Sequence, residues 1–509
     1  MIRRVLCLAV LLGLAAPALA QSADAPRAVA LAGAGSTPQE RVLEAQITSI
    51  LDSDTFSDAY WGALVVDLTD GRVLYSRNAD RRFIPASNMK LVSTAAALDA
   101  LGPDFRYQTR LYADGEVRGT TLHGSLVVEG SGDPTFGGRY ADGDATRVFR
   151  AWADSLKAAG ILRVTGAVIG DDDVFDDEAL GKGWMVEDLV WYYGAEISGL
   201  QYNEGTARLD IRGTRPGRAA RIMVEPDVDY IQLANQTVTT AGGKVDAGYR
   251  RALDGNLFTV STRVPAGTTE SEDVSVRNPT AYFAHALRRV LERSGIQVDG
   301  GAVDVDEWGG PPLRYAPMRR IATHESPRLV HIVAQTNIDS NNLYAEHLLR
   351  TLAVHRYAGD EHPAGSARAG AEAAAPFLVR AGIDPASLSI VDGSGLSGMN
   401  RLTPRALIAL LTAMKEHPDP ATARGFEASL PVGGRSGTLE RRYKSGDARH
   451  NVRAKTGFIT GARTLSGYVD AANGHTIAFS LLCNNYSVRT SRVNRAQDDI
   501  VELLADFDG

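Results

Sequence analysis

Ser87-Asn-Met-Lys90 sets a hydroxyl and an amine three residues apart. On a helix, positions i and i+3 share a face, so the Lys90 amine can reach Ser87 Oγ. A serine hydroxyl at its ordinary pKa is a weak nucleophile and needs such a base beside it. Lys90 can serve only when neutral, which requires burial or a neighbouring positive charge. Two further motifs follow, Ser340-Asn-Asn342 and Lys455-Thr-Gly457. The first adds a second hydroxyl and a carboxamide, and the second adds a cation able to depress Lys90. Singly, the three motifs read as a surface helix, a turn or helix cap, and a loop. Together and in this order they point to acyl transfer through a serine.

Such groups need elements that hold them in place. Pro85-Ala86 before the run Ser87–Leu98 predicts a helix with Ser87 near its first turn. The positive end of that helix would stabilise negative charge developing there. Val42–Leu51 has helical periodicity. Trp61–Asp67 and Arg72–Tyr75, around Asp70-Gly71, predict a β-hairpin with a type I′ turn. From about residue 105 to 320 the chain reads as β-rich, with runs at Thr121–Val128, Val164–Ile169, Ile222–Glu225 and Ile231–Leu233. One helix stands out in that block, at about Ala281–Ser294. Helical patterns return at Leu329–Leu352, Gly370–Ala381 and Pro404–His417. Strands at Leu465–Val469 and Ile477–Leu482 precede a helix at Val493–Ala505. The three motifs must meet in space, so the β-rich block is expected to loop out of one catalytic domain.

The 509 residues are 44% hydrophobic and 23% charged, an ordinary globular composition long enough for more than one domain. The net charge of −7 becomes −9 once the first twenty residues, with Arg3 and Arg4, are removed. Without basic blocks, such a chain is a poor partner for nucleic acid or an anionic membrane surface. Arg3-Arg4, the apolar run Val5–Leu14 and Ala18-Leu19-Ala20 predict a signal peptide over 1–20, cleaved before Gln21. Its apolar core is too short to span a membrane, and no later stretch is long enough. Residues 21–40 read as a flexible leader. Cleavage removes Cys7 and leaves Cys483, in a strand-like run, as a structural thiol.

With these motifs the sequence resembles the class C low-molecular-mass penicillin-binding proteins, exported D-alanyl-D-alanine carboxypeptidases and endopeptidases that trim peptidoglycan. The resemblance runs from about residue 45 to the end. It includes Gly130-Ser-Gly-Asp-Pro-Thr135, Gly183-Trp184 with Asp188, Asp392-Gly-Ser-Gly-Leu-Ser397, Gly437-Thr-Leu439 and Arg453-Ala-Lys-Thr-Gly457. It implies an α/β (α+β) penicillin-recognising, serine transpeptidase-like catalytic domain, an antiparallel sheet with flanking helices, over 41–104 and 322–509. A large β-rich two-domain insertion is implied as domain II, over 105–205 and 290–321, and a nested domain III, over 206–289.

The resemblance further implies that Ser87 attacks the D-Ala-D-Ala carbonyl while Lys90 takes its proton. Ser340 would relay a proton to the leaving nitrogen, and Asn342 would hold the substrate backbone. Lys455 and Thr456, with Gly457, would hold the terminal carboxylate or its penicillin equivalent. The N–H groups of Ser87 and Phe458 would form the oxyanion hole. Asp188 is expected to bind the amino end of a diaminopimelate side chain, with Ser394 lining the same pocket. Gly398 stands where many relatives carry an arginine, so this chain lacks that charge unless Arg401 replaces it. The implied partners are peptidoglycan peptides and β-lactams, the implied compartment is the periplasm, and no metal or organic cofactor is needed.

Two other functions share parts of the pattern. A serine β-lactamase would hydrolyse the acyl-enzyme quickly, but the long gap after Lys90 departs from the compact class A layout. A non-catalytic peptidoglycan-binding homologue would be free to lose the motif residues that this chain keeps. Asp171–Asp177 is acidic enough to suggest calcium, but Asp176 stands where an EF-hand needs glycine, so a solvated turn is expected. His324, His331 and His347 lack metal-ligand spacing.

Overall fold

A computed structural model describes residues 37–358 and 365–509. The expected signal peptide and the leader up to residue 36 lie outside the described residues. Helix α1 (Pro38–Leu51) begins inside the stretch expected as leader. A capping box explains the early start: Thr37 Oγ1 accepts from Glu40 N at 3.1 Å, and Glu40 Oε2 accepts from Thr37 N at 2.9 Å.

Strands β1 (Tyr60–Asp67) and β2 (Val73–Arg77) form the expected hairpin. The turn is not type I′, because only Gly71 of its central pair has positive φ, at +80°. Asp67 N donates to Arg72 O across a longer loop, and a register shift lies between Val65 and Val66. A 3₁₀ turn, Ala86–Asn88, leads into α2 (Met89–Leu101). Every residue of α2 from Met89 to Leu98 is buried, so this helix is central rather than amphipathic.

After the insertion come α3 (Leu329–Ile338), α4 (Asn342–Arg356), α5 (Ala367–Arg380), α6 (Pro404–Lys415) and α7 (Pro420–Ala428). The helical run expected over Leu329–Leu352 is therefore two helices. They part at Ser340, whose φ of +59° no helix can carry, and Asn341 caps α4 by accepting from Tyr344 N. Strands β3 (Arg453–Ile459), β4 (Ala462–Asp470) and β5 (Thr476–Asn484) and helix α8 (Thr490–Ala505) complete the chain.

The sheet order is β3-β4-β5-β1-β2, all antiparallel. Alternation along β1 splits the hydrophobic residues between two faces. Leu64 and Val66 join the core built on α2 to α7, while Ala63 and Val65 join the core with α1 and α8. Both faces of the sheet are covered, which is why β1 and β5 are buried almost throughout. Cys483 is buried in β5.

The insertion leaves after α2 and returns before α3 on paired strands, Gln108–Arg118 and Arg319–Glu325, with Gln108 opposite Glu325. Leu329 N donates to Phe105 O at 2.8 Å, closing the same doorway. One sheet packs the helices Arg147–Ala158 and Pro279–Arg293 in a core containing Leu126, Trp152 and Phe283. Residues 206–275 form smaller sheets around Leu209, Phe258, Val264 and Val274. The expected boundary at residue 289 falls inside the helix Pro279–Arg293, which packs on the first sheet, so the nested segment ends earlier. The run Val164–Ile169 is likewise two short strands, Arg163–Val164 and Val168–Asp171.

Candidate active site

Lys90, on the first turn of α2, points its amine at three oxygens. Nζ lies 3.0 Å from Ser87 Oγ, 2.6 Å from Asn342 Oδ1 and 2.7 Å from Ser394 O. Burial lowers its pKa to about 7, against the opposing charges of Asp392 and Glu346. From the other side, Lys455 Nζ donates to Ser340 Oγ at 2.9 Å and to Thr456 O at 3.0 Å. Lys455 is held well below its ordinary value by burial first, then by Lys90 and Arg463. The sequence suggested that Lys455 depresses Lys90. In the structure burial is the first cause for both lysines, and the two amines also repel each other. All five motif side chains therefore converge, with Ser87 and Ser340 partly open to solvent.

Strand β3 forms the wall beside Ser87. Asn88 Nδ2 donates to Lys455 O at 2.8 Å, and Asn88 Oδ1 accepts from Ser466 Oγ at 2.7 Å. Thr464 Oγ1 donates to Pro85 O at 2.8 Å, so both flanks of Ser87 are tied to the sheet. Gly457 is needed here by contact: a Cβ would stand 2.1 Å from Thr464 Oγ1 and 3.0 Å from Ser87 N. Thr456 Oγ1 donates to Thr438 Oγ1 at 2.7 Å. Phe458 exposes its ring, with the Arg463 guanidinium 5.9 Å away.

The 392–400 loop backs Lys90. Glu346, on α4, accepts from Gly393 N and Ser394 N, and burial followed by Asp392 raises it to about 7. Asp392 accepts from Gly395 N, Ser397 N, Asn400 Nδ2 and Trp184 Nε1, the last from the insertion. Ser394 is fully buried and meets Lys90 through its carbonyl, so its side chain does not line an open pocket. Arg401 is turned onto Gly398 O and Asn400 O, each at 2.7 Å, which engages it locally.

Asp188 is buried in its own turn, near Met185 N and hydrogen-bonded to Tyr193, and burial raises its pKa. Among the described residues its carboxylate forms no hydrogen bond with the motif side chains, though its segment arrives there: Tyr193 O accepts from Asn342 Nδ2 at 2.8 Å. Sequence reasoning missed Glu346, although Asn342, Glu346 and Arg350 recur every four residues on one helix face. The Asp171–Asp177 stretch is not a solvated turn throughout. Asp172 accepts from Ser198 and Thr280, and one of its oxygens lies within 4.8 Å of an oxygen of Asp304 and of Asp306.

An antiparallel sheet flanked by helices, with a serine–lysine pair at the head of the central helix, defines the penicillin-recognising serine enzyme fold. The crystal structure of penicillin binding protein 4 from Haemophilus influenzae superposes with a TM-score of 0.78 at 23% identity, over 91% of this chain and 99% of that one. Residues 43–507 match the D-Ala-D-Ala carboxypeptidase 3 (S13) family, and the chain belongs to it. It is 33% identical to a D-alanyl-D-alanine carboxypeptidase of Actinomadura sp. (strain R39), over 92% of this chain and 85% of that protein. It is 26% identical to the D-alanyl-D-alanine carboxypeptidase DacB of Haemophilus influenzae, over 84% and 85% respectively.

Proposed function

We propose that Ser87 is the acylated nucleophile of a serine D,D-peptidase that cleaves the D-Ala-D-Ala bond of peptidoglycan stem peptides. The observation that carries this reading is Lys90, buried 3.0 Å from Ser87 Oγ with its pKa brought to about 7, where a general base works best near neutrality. Ser87 Oγ bonds to the carbonyl carbon as its proton passes to Lys90. The peptide C–N bond then breaks as Ser340 relays a proton from the lysines to the departing nitrogen of D-alanine, which leaves Lys90 neutral again. Water hydrolyses the ester and restores Ser87. The N–H groups of Ser87 and Phe458 receive the oxyanion, a contribution of roughly 3–4 kcal/mol per donor in comparable sites.

The substrate carboxylate sits against Lys455 and Thr456. An anion there favours the charged form of Lys455 and reverses the shift that burial imposes. A charged Lys455 in turn helps keep Lys90 neutral, so substrate arrival prepares the base. β-Lactams enter as cyclic amides and leave the same ester on Ser87. Cross-link cleavage uses the same ester with a larger leaving amine, and both substrates place the enzyme outside the cytoplasm.

Mass spectrometry after incubation with benzylpenicillin tests the reading, with Ser87→Ala as the control. A lasting adduct on Ser87 is expected, absent from the variant. Consumed antibiotic without an adduct would make the protein a β-lactamase, and intact antibiotic without an adduct would make it non-catalytic.

A further inference from the structure

The Ser340–Asn342 turn belongs to the catalytic core, yet the side chains that grip it come from the insertion. Glu204 lies in a turn where Asn203, Glu204 and Gly205 all hold positive φ, at +47°, +56° and +66°. Residues with a Cβ avoid that region, and such backbone persists where the surroundings over-determine it. Gly205 is closely packed too, since a Cβ there would stand 2.5 Å from Gln201 Nε2.

That backbone aims the Glu204 carboxylate at the turn. It accepts from Asn341 Nδ2 at 2.9 Å and from the Tyr344 hydroxyl at 3.3 Å. Arg139 pairs with it through two nitrogens, NH2 at 3.1 Å, and also donates to Asp339 Oδ2 at 3.2 Å. The residues on both sides of Ser340 are thus held by one ion pair. Asn341 uses its other end, Oδ1, to cap α4, which begins with Asn342. Ser340 and Asn342 are the groups that touch Lys455 and Lys90.

We propose that Glu204, braced by Arg139, is a positioning residue for acyl transfer: it fixes the Ser340–Asn342 turn so that both functional side chains meet their lysines. The inference rests on the acyl-transfer reading of those residues. A partly exposed ion pair adds little stability by itself, so orientation is the larger effect to look for. The carboxylate borders a polar cavity of about 580 Å³, so truncation leaves space that water can fill rather than a dry void.

The test measures the second-order rate of Ser87 acylation by benzylpenicillin, and kcat and KM on a D-Ala-D-Ala peptide, alongside melting temperature. Glu204→Ala should slow acylation by roughly 10- to 100-fold, the usual scale for small misplacement of reacting groups. The loss should fall on kcat rather than KM. Glu204→Gln keeps an oxygen for Asn341 and should recover most of the rate. Asn341→Asp keeps the helix cap but sets a carboxylate against Glu204, and should reproduce the loss. It also serves as the second arm if Glu204→Ala fails to fold. Arg405→Ala, which breaks an exposed pair with Asp80, should melt slightly lower and acylate at the parent rate. A Glu204→Ala or Asn341→Asp rate equal to the parent's would overturn the proposal, as would equal losses in Glu204→Gln or Arg405→Ala. A parent that forms no adduct sinks the acyl-transfer reading and this one with it. A labelled parent with an unaffected variant sinks only this one.

Discussion

Lys90 is surrounded by three oxygens and two buried carboxylates, and its protonation decides what Ser87 can do. Below pH 7 it holds its proton and cannot accept another. Acylation by benzylpenicillin should therefore rise with pH through about 7 and level off above. Glu346→Gln removes a charge that raises Lys90, so the midpoint should move to lower pH in the same assay. An unchanged midpoint would show that Glu346 is uncharged in the active enzyme. Lys90→Arg keeps a cation that does not give up its proton, and should cost roughly 10²- to 10⁴-fold in rate. At this scale the sequence was legible where residue types suggest a shared reaction: it grouped Ser87, Lys90 and Lys455, and the structure brings them together. Glu346 was not, because a glutamate on a helix looks like any solvated one until the 392–400 loop folds over it. Ser394 belongs to the pocket only through the family resemblance; the chain turns its side chain inward and offers the carbonyl to Lys90.

At the level of elements, the contact between β3 and the 3₁₀ turn sets the width of the cleft. Gly457→Ala would drive a methyl group into Thr464 and toward Ser87 N. We expect a stability loss of roughly 1–3 kcal/mol, read by thermal melting, as β3 is pushed outward. Penicillin acylation should fall with it because the Phe458 N–H moves away from Ser87. A variant that melts lower yet acylates at the parent rate would show that this contact matters to folding alone. Short apolar runs located the two C-terminal strands, which are buried on both faces, and periodicity located most helices here. It could not see the break at Ser340, where the apolar pattern of α3 runs on into α4. Only the left-handed turn separates them, and its sign in the sequence is local: Ser340-Asn-Asn342 reads by itself as a turn or helix cap. The hairpin turn failed for a related reason: Asp-Gly suits a type I′ turn, but an extra residue in β2, Leu74, shifts the register and changes how many residues the loop must hold.

Across the whole molecule, the nested sheets of the insertion reach the catalytic cleft through the 186–194 segment. Arg251 NH2 donates to Leu189 O at 3.0 Å and its other nitrogen lies 3.5 Å from Glu196. Ser275 N donates to Val190 O, and the rings of Trp191 and Tyr249 lie 5.8 Å apart. The same segment ends at Tyr193, on Asn342. Arg251→Ala should destabilise the protein by roughly 1–3 kcal/mol and speed hydrogen exchange over residues 186–194. Unchanged exchange there would mean that the nested sheets do not hold the segment. Motif spacing announced that a block loops out, but not where it divides, because the helix Pro279–Arg293 joins the first core from beyond the nested strands. The order of the central sheet has a consequence for synthesis. Tyr60 of β1 pairs with Asn484 of β5, so β1 waits for almost the entire chain to be made before the sheet can close on it. A nascent chain carries Ser87 and Lys90 early, yet the wall that completes their pocket comes off the ribosome among the last elements. Acylating power is thus withheld until synthesis is nearly finished, and chains ending before Arg453 should be inert toward penicillin however well their insertion folds.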